Sequence, residues 1–288
     1  MRIAVVGDVH GHLGLLYAIL GRWQRETGRP IHLILQVGDL GAFDADSPLD
    51  RATRRHAEGD PEELGFAEFA GATPPATLLD PRPPLVFIPG NHEDFELLER
   101  REAAAPENAA VYPVTEDARI LGLRSGQVWR FDGPDGRLRI AGISGIEGRG
   151  HKKPVHPRVH LAERDALELA EKGAGEIDLF ISHERPTVAS GSFRHDMGGS
   201  LALTLLLEAV QPRLAFFGHY ARAGEWQVGR TGMFGLSGCG YEQRGAGPVK
   251  PKGIVMVEWS ETDPPQVEWL EPEWLAGVRL GQWRRWGR

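Results

Sequence analysis

The chain has 288 residues, 33 Lys+Arg against 40 Asp+Glu, a formal net charge of −7 and 41% apolar residues, ordinary for a globular protein able to bury a substantial core. A single cysteine excludes an intramolecular disulfide and any cysteine-rich zinc or iron–sulfur site, so a bound metal needs histidine and carboxylate, and 11 histidines are present. The acidic balance argues against a protein that coats nucleic acid non-specifically.

The start, Met1 to Asp8, holds too short an apolar run for a signal peptide. No run approaches the roughly 18–20 apolar residues of a spanning helix. The expectation is a soluble cytoplasmic protein with no membrane partner.

Ile3–Val6 reads as a buried strand feeding Gly7-Asp8, and 13–25 as a helix stopped by Gly28-Arg29-Pro30. Further strands are expected over 31–37, ending at Gly38-Asp39, and 85–88, ending at Pro89-Gly90-Asn91-His92. Residues 94–103 read as helical, and 119–122, 127–131 and 137–143 as short strands. Residues 158–173 read as a helix, 178–182 as a strand ending at His183, 199–210 as a helix, and 214–217 as a strand ending at Gly218-His219. Closing strands are expected over 227–236, 253–259 and 265–269. Residues 42–83 are polar and rich in proline, and read as a partly helical insertion near strand ends where ligands bind. The expected organisation is one α/β domain over 1–270 with that insertion, followed by a tail at 271–288.

Asp8-Val-His10, Gly38-Asp39, Gly90-Asn91-His92-Glu93, Ser182-His183 and Gly218-His219 each follow an apolar strand. Strands of one sheet end along one edge, so these residues can meet across more than half the chain. Imidazole and hard oxygen donors without thiolate suit divalent Mn, Fe, Co, Ni or Zn. A carboxylate shared by two cations makes a two-metal site that clamps the attacking and leaving oxygens of phosphoryl transfer.

In this order and placement the motifs resemble the calcineurin-like metallophosphoesterase superfamily over residues 1–219. The resemblance implies a four-layer α/β/β/α sandwich and two divalent ions. It assigns Asp8, His10 and Asp39 to the first ion, and Asp39, Asn91, His183 and His219 to the second, with Asp39 bridging. It places His92 beside them, contacting substrate phosphate or protonating the leaving oxygen, while a metal-activated hydroxide attacks phosphorus in line. Many members continue Gly-His-x-His, where the last histidine completes the first site; here Ala221 stands in its place, which implies a weaker first metal. No arginine follows Gly38-Asp39, so the chain is not close to the phosphoprotein phosphatases, although that branch also lacks the second histidine. A narrower similarity to lariat-debranching enzymes is carried by 141–146 (Ala-Gly-Ile-Ser-Gly-Ile), 182–186 (Ser-His-Glu-Arg-Pro), Gly199-Ser200 and Gln211-Pro212.

Arg149, Arg185 and Tyr220 lie near the motifs and are candidates for substrate phosphate, since a guanidinium suits bidentate phosphate binding. The basic loop 149–153 could steer an anion. His12 is expected to cap the following helix or face solvent, and Cys239 to be an inert core residue. The expected activity is a dinuclear phosphoesterase acting on a phosphomonoester or phosphodiester, of a phosphorylated small molecule or nucleotide. The alternatives are a metal-binding scaffold without catalysis, motivated by Ala221, and debranching-like or nuclease activity on nucleic acid.

Overall fold

The computed structural model describes residues 1–49, 51–73, 75–148, 154–189, 198–220, 222–239 and 249–278. In chain order the elements are β1 (Arg2–Val6), α1 (Leu13–Thr27), β2 (Leu33–Gln36), α2 (Arg51–Gly59), β3 (Leu85–Phe87), α3 (Phe95–Ala104), β4 (Val111–Pro113), β5 (Ile120–Leu123), β6 (Val128–Gly133) and β7 (Gly136–Ile143). They continue as α4 (Glu163–Ala170), β8 (Leu179–Ser182), α5 (Leu201–Val210), β9 (Leu214–Phe217), β10 (Gly224–Val228), β11 (Thr231–Gly235), β12 (Ile254–Glu258) and β13 (Gln266–Trp269). A 3-10 helix over Pro61–Phe69 follows α2.

The strands form two sheets. One runs β13-β12-β1-β2-β3-β5-β4 and the other β10-β11-β9-β8-β7-β6. Alternation along each central strand sorts side chains into layers. Ile3, Val5, Leu33, Leu35 and Val86 of the first sheet meet Leu138, Ile140, Leu179, Ile181 and Phe216 of the second in one buried cluster. The opposite face of the first sheet, with Ala4, Val6, Ile34 and Phe87, packs on α1 and on Phe66 and Phe69 of the 3-10 helix. The opposite face of the second packs Ala141, Ile143, Phe180 and Phe217 on α4 and α5. The result is the expected α/β/β/α order.

β1, β2 and β3 are mutually parallel, as are β7, β8 and β9. Their carboxyl ends therefore lie along one rim, and each motif sits on the turn leaving it.

Three elements differ from the sequence expectation. Residues 158–162 are not helical: Pro157–Val159 forms a 3-10 turn and His160 pairs with Ile146, so α4 starts at Glu163. The strand expected over 227–236 is a hairpin, β10–β11, turning at Gly229-Arg230. β4 has three residues and ends in Pro113, too short to leave a period-two pattern. Of the expected tail, Glu273–Gly277 is a 3-10 helix whose Leu275 is buried with α1, and the Trp274 Nε1–H donates to Glu26 at 2.6 Å. No helix among the described residues is long and apolar enough to cross a membrane.

The insertion shares the core with the first sheet. Phe66 is fully buried there. Phe66→Ala is expected to lower stability by about 3–5 kcal/mol, read as a fall in the thermal unfolding midpoint. An unchanged midpoint would mean that the insertion does not pack on α1.

Candidate metal centre

The chain leaves β1 at Gly7 and reverses tightly at Asp8-Val9-His10. The amide N–H groups of Val9 and His10 both donate to the Asp39 carbonyl at 2.9 Å, tying the first loop to the one leaving β2. Gln36, fully buried on β2, donates from its side chain to the carbonyls of Gly7 and Gly38 and accepts from the Gly38 N–H at 3.0 Å. His10, Asp39 and His219 all hold left-handed backbone, with φ of 44°, 54° and 67°. Such geometry in a residue other than glycine costs on the order of 1–3 kcal/mol and persists only where its surroundings impose it.

Asp39 lies at the centre. Its Oδ1 accepts the N–H groups of Asn91 and His92 at 2.7 and 2.8 Å. Its Oδ2 faces His183 Nε2 at 3.2 Å and His10 Nε2 at 3.7 Å. Asp8, His10 and Asp39 converge as one donor group, and Asp39, His183 and His219 as another, with atoms of each group within 4.8 Å of one another. Asp8, His10, Asp39 and His183 are buried, while Asn91, His92, His219 and Tyr220 are half-buried, so the group opens on the side of these four.

The donor chemistry fits a cation. The Nδ1–H of His183 donates to the Val37 carbonyl at 3.1 Å, so the neutral ring turns a lone pair on Nε2 toward two further lone-pair carriers, Asn91 Oδ1 at 3.1 Å and Asp39 Oδ2. Three bare donors directed at one point repel each other unless a positive charge lies among them. In the absence of an ion, a proton on His183 Nε2 takes that place. Burial opposes a charge on His183, yet Asp39 and then Asp8 outweigh it and push the imidazole up to about 9. Burial likewise opposes ionisation of Asp39, but His183, His92 and His10 hold its carboxyl well below the usual carboxylate range. Asp8 is pushed up, first by burial and also by Asp39, against the pull of His183.

Glu93 completes the loop after β3. It is buried, and its carboxylate accepts the N–H groups of Leu40 and Ala42 at 2.9 and 2.8 Å. Burial, with a smaller contribution from Asp39, pushes its carboxyl up to about 7. Gly90 is required by proximity, since a Cβ there would lie 2.2 Å from Asp39 Oδ1.

The substrate candidates divide. Arg185 is buried, with its guanidinium over the Tyr220 ring at 4.1 Å, and Tyr220 meets His219 edge-on at 4.7 Å. Both thus stand beside the second donor group. Arg149, the basic loop 149–153, Ala221 and residues 279–288 lie outside the described residues. His12 occupies the N-cap position of α1, but its side chain makes no capping hydrogen bond and does not face solvent. It is buried between the Val9 carbonyl and Asp60 Oδ2, each at 3.0 Å. Asp60 in turn caps the 3-10 helix, accepting the Glu62 N–H. Cys239 is buried, and its thiol is pushed up to about 12 by burial.

A family model for calcineurin-like phosphoesterases matches residues 1–222. The chain belongs to the calcineurin-like phosphoesterase family. Among curated relatives of this family member, a lariat debranching enzyme from Drosophila pseudoobscura pseudoobscura is 29% identical across 76% of this chain and 42% of its own length. A lariat debranching enzyme from Arabidopsis thaliana is 24% identical across 97% of this chain and 68% of its own. The chain thus spans less than half of the first of these proteins. In fold, this phosphoesterase chain is similar to a dimetal phosphatase from Danio rerio, with a TM-score of 0.52 and 14% identity over 93% of this chain and 95% of that one.

Sequence reasoning assigned no role to Gln36, Glu63 or Glu93. Glu93 is the last residue of the Gly90-Asn91-His92-Glu93 motif, but Gln36 and Glu63 carry no local signal; only the folded chain brings them to the site.

Two outcomes follow from these contacts. Gly90→Ala is expected to displace Asp39 and weaken binding of Mn²⁺ by about tenfold or more, the scale of losing one ordered partner at a metal site; calorimetric titration reads it. The His12–Asp60 pair gives a pH signature. Burial opposes the charge on His12, but the hydrogen bond to Asp60 raises it overall above its ordinary 6.5, so this stabilisation is present below that value and lost as pH rises through the raised one. Burial opposes ionisation of Asp60, but His12 lowers it overall below its ordinary 3.8, so that contribution is present above 3.8 and lost as pH falls. The stability gap between wild type and Asp60→Asn is expected to be widest near pH 4–6.5 and to narrow on either side, measured by denaturant unfolding. A gap flat with pH would refute the pairing.

Proposed function

We propose that the chain is a dinuclear metal-dependent phosphoester hydrolase. The observation that carries the reading is Asp39, whose Oδ2 faces both His10 and His183 while its Oδ1 is held by two backbone amides. Asp8, His10 and Asp39 would hold one divalent ion, and Asp39, Asn91, His183 and His219 the other. When bound, the two cations supply the charge that activates water near neutral pH and offsets the negative phosphate.

The chain's own residues do the rest. The amides of Asn91 and His92 keep Asp39 from rotating, which leaves its Oδ2 directed at His10 and His183, where it would serve as a shared ligand. The Nδ1–H bond to Val37 fixes the His183 ring with Nε2 toward Asp39 and Asn91. His92 lies at the open side of the group, with its ring 5.5 Å from that of His10, where it can donate a proton to the leaving oxygen. Arg185, held over Tyr220, presents a guanidinium for a phosphate oxygen without first having to order itself. Glycine at 90 and left-handed backbone at His10, Asp39 and His219 gather the donors; a metal-binding scaffold without catalysis would use them as well, and turnover separates the two readings.

A phosphodiester within nucleic acid is the second reading. It rests on the relatives being lariat debranching enzymes and on the short similarities at 141–146 and 182–186.

The test is turnover of aryl phosphate, bis-aryl phosphate and a branched RNA with Mn²⁺, each with bound metal measured. Hydrolysis of at least one, abolished by chelation, is expected. Asp39→Asn should lower it by about 10²-fold or more. His92→Ala should cost about 10²-fold with an alkoxide leaving group and less with an aryl oxide, which leaves unprotonated. No turnover of any substrate by metal-loaded protein would overturn the reading.

A further inference from the structure

Glu63 belongs to the 3-10 helix of the insertion and not to any motif, yet it is buried against the first donor group. Its Oε1 lies 3.3 Å from His10 Nδ1 and 3.9 Å from His56 Nδ1 of α2. His10 thus has one ring nitrogen toward Asp39 and the other toward a carboxylate. The approach is enforced by the backbone. A Cβ on Gly11 would fall 2.1 Å from the Glu63 carbonyl oxygen, so the loop after β1 lies directly against the 3-10 helix. One turn earlier, Asp60 takes His12. Two histidines of one loop are therefore each held by a carboxylate of one short helix.

We propose that Glu63 is a positioning residue for the first metal site. Its carboxylate accepts the Nδ1 proton of His10, which leaves Nε2 bare, fixes the ring's rotation and raises its basicity toward a cation. This rests on the two-metal reading above. The physical need is clear in the donor count. Among the described residues, Asp8, His10 and Asp39 are the members of that group, and a group that lost the orientation of its one imidazole would be left with two carboxylates. The insertion is then more than a cover for α1, because its folding sets the tautomer of a donor.

The test uses the full chain with Mn²⁺ alone. Glu63→Met removes the acceptor at similar length, and Glu63→Gln restores a neutral one. Calorimetric titration is expected to show two Mn²⁺ in wild type. In Glu63→Met one of them should bind about 10- to 100-fold more weakly while the other stays within threefold, and Glu63→Gln should recover part of the loss. On metal-free protein, long-range ¹H–¹⁵N spectra should report a single Nδ1–H tautomer for His10 in wild type and a mixture in Glu63→Met, with the signal assigned by its absence in His10→Gln. Wild-type affinities and an unchanged His10 tautomer in Glu63→Met overturn the proposal. If that variant does not fold, Glu63→Ala, which also removes the acceptor, takes its place, and wild-type values for both readings there overturn the proposal. Fewer than two Mn²⁺ in wild type would instead overturn the two-metal reading, while the tautomer experiment would still decide the role of Glu63.

Discussion

A single carboxylate carries the architecture of this rim. Asp39 sits in left-handed backbone, buried, with one oxygen bound by the amides of the β3 loop and the other directed at histidines from β1 and β8. Its carbonyl also receives both amides of the β1 loop. Three of the loops at the rim are thereby referred to one residue, and a small shift of Asp39 would displace all of them. Burying that charge costs free energy unless partners compensate; the amides of Asn91 and His92 and the imidazoles of His10 and His183 do so, against the neighbouring carboxyls of Asp8 and Glu93.

The two sheets explain how the partners reach it. β1, β2 and β3 bring one set of turns to their carboxyl edge, and β8 and β9 of the other sheet bring His183 and His219. The apolar layer between the sheets fixes how the two edges face each other. Supporting contacts then remove the remaining freedom: Gln36 joins the loops after β1 and β2, and Glu93 ties the β3 loop to residues 40–42. The chain carries backbone strain at His10, Asp39 and His219 because this packing over-determines those positions.

Much of the fold and site was legible from short patterns. Apolar runs ending in Gly-Asp, Gly-Asn-His, Ser-His or Gly-His located five of the strands and the residues on their turns. Hairpin β10–β11, the edge strand β4 and the late start of α4 were not, because a two-residue turn, a three-residue strand and an isolated bridge at Ile146–His160 leave no periodicity to read. The side-chain role of His12 was hidden for a related reason. A histidine before a helix looks like a cap, and only the distant Asp60 gives its second nitrogen a partner. Arg185 was read as an arginine near the site, whereas its burial over Tyr220 depends on two loops meeting.

By itself the sequence determined the kind of chemistry available: imidazole, carboxylate and amide donors without thiolate, spaced one set per strand end. That much follows because a strand's length and apolarity are local, and so is the turn that ends it. The tertiary structure decided which oxygen of Asp39 stays open, which nitrogen of each histidine faces the centre, and that a helix from the polar insertion supplies Glu63. Those choices depend on atoms brought within about 3–4 Å from segments far apart in the chain, and directional contacts of that kind leave no mark on the sequence around either partner.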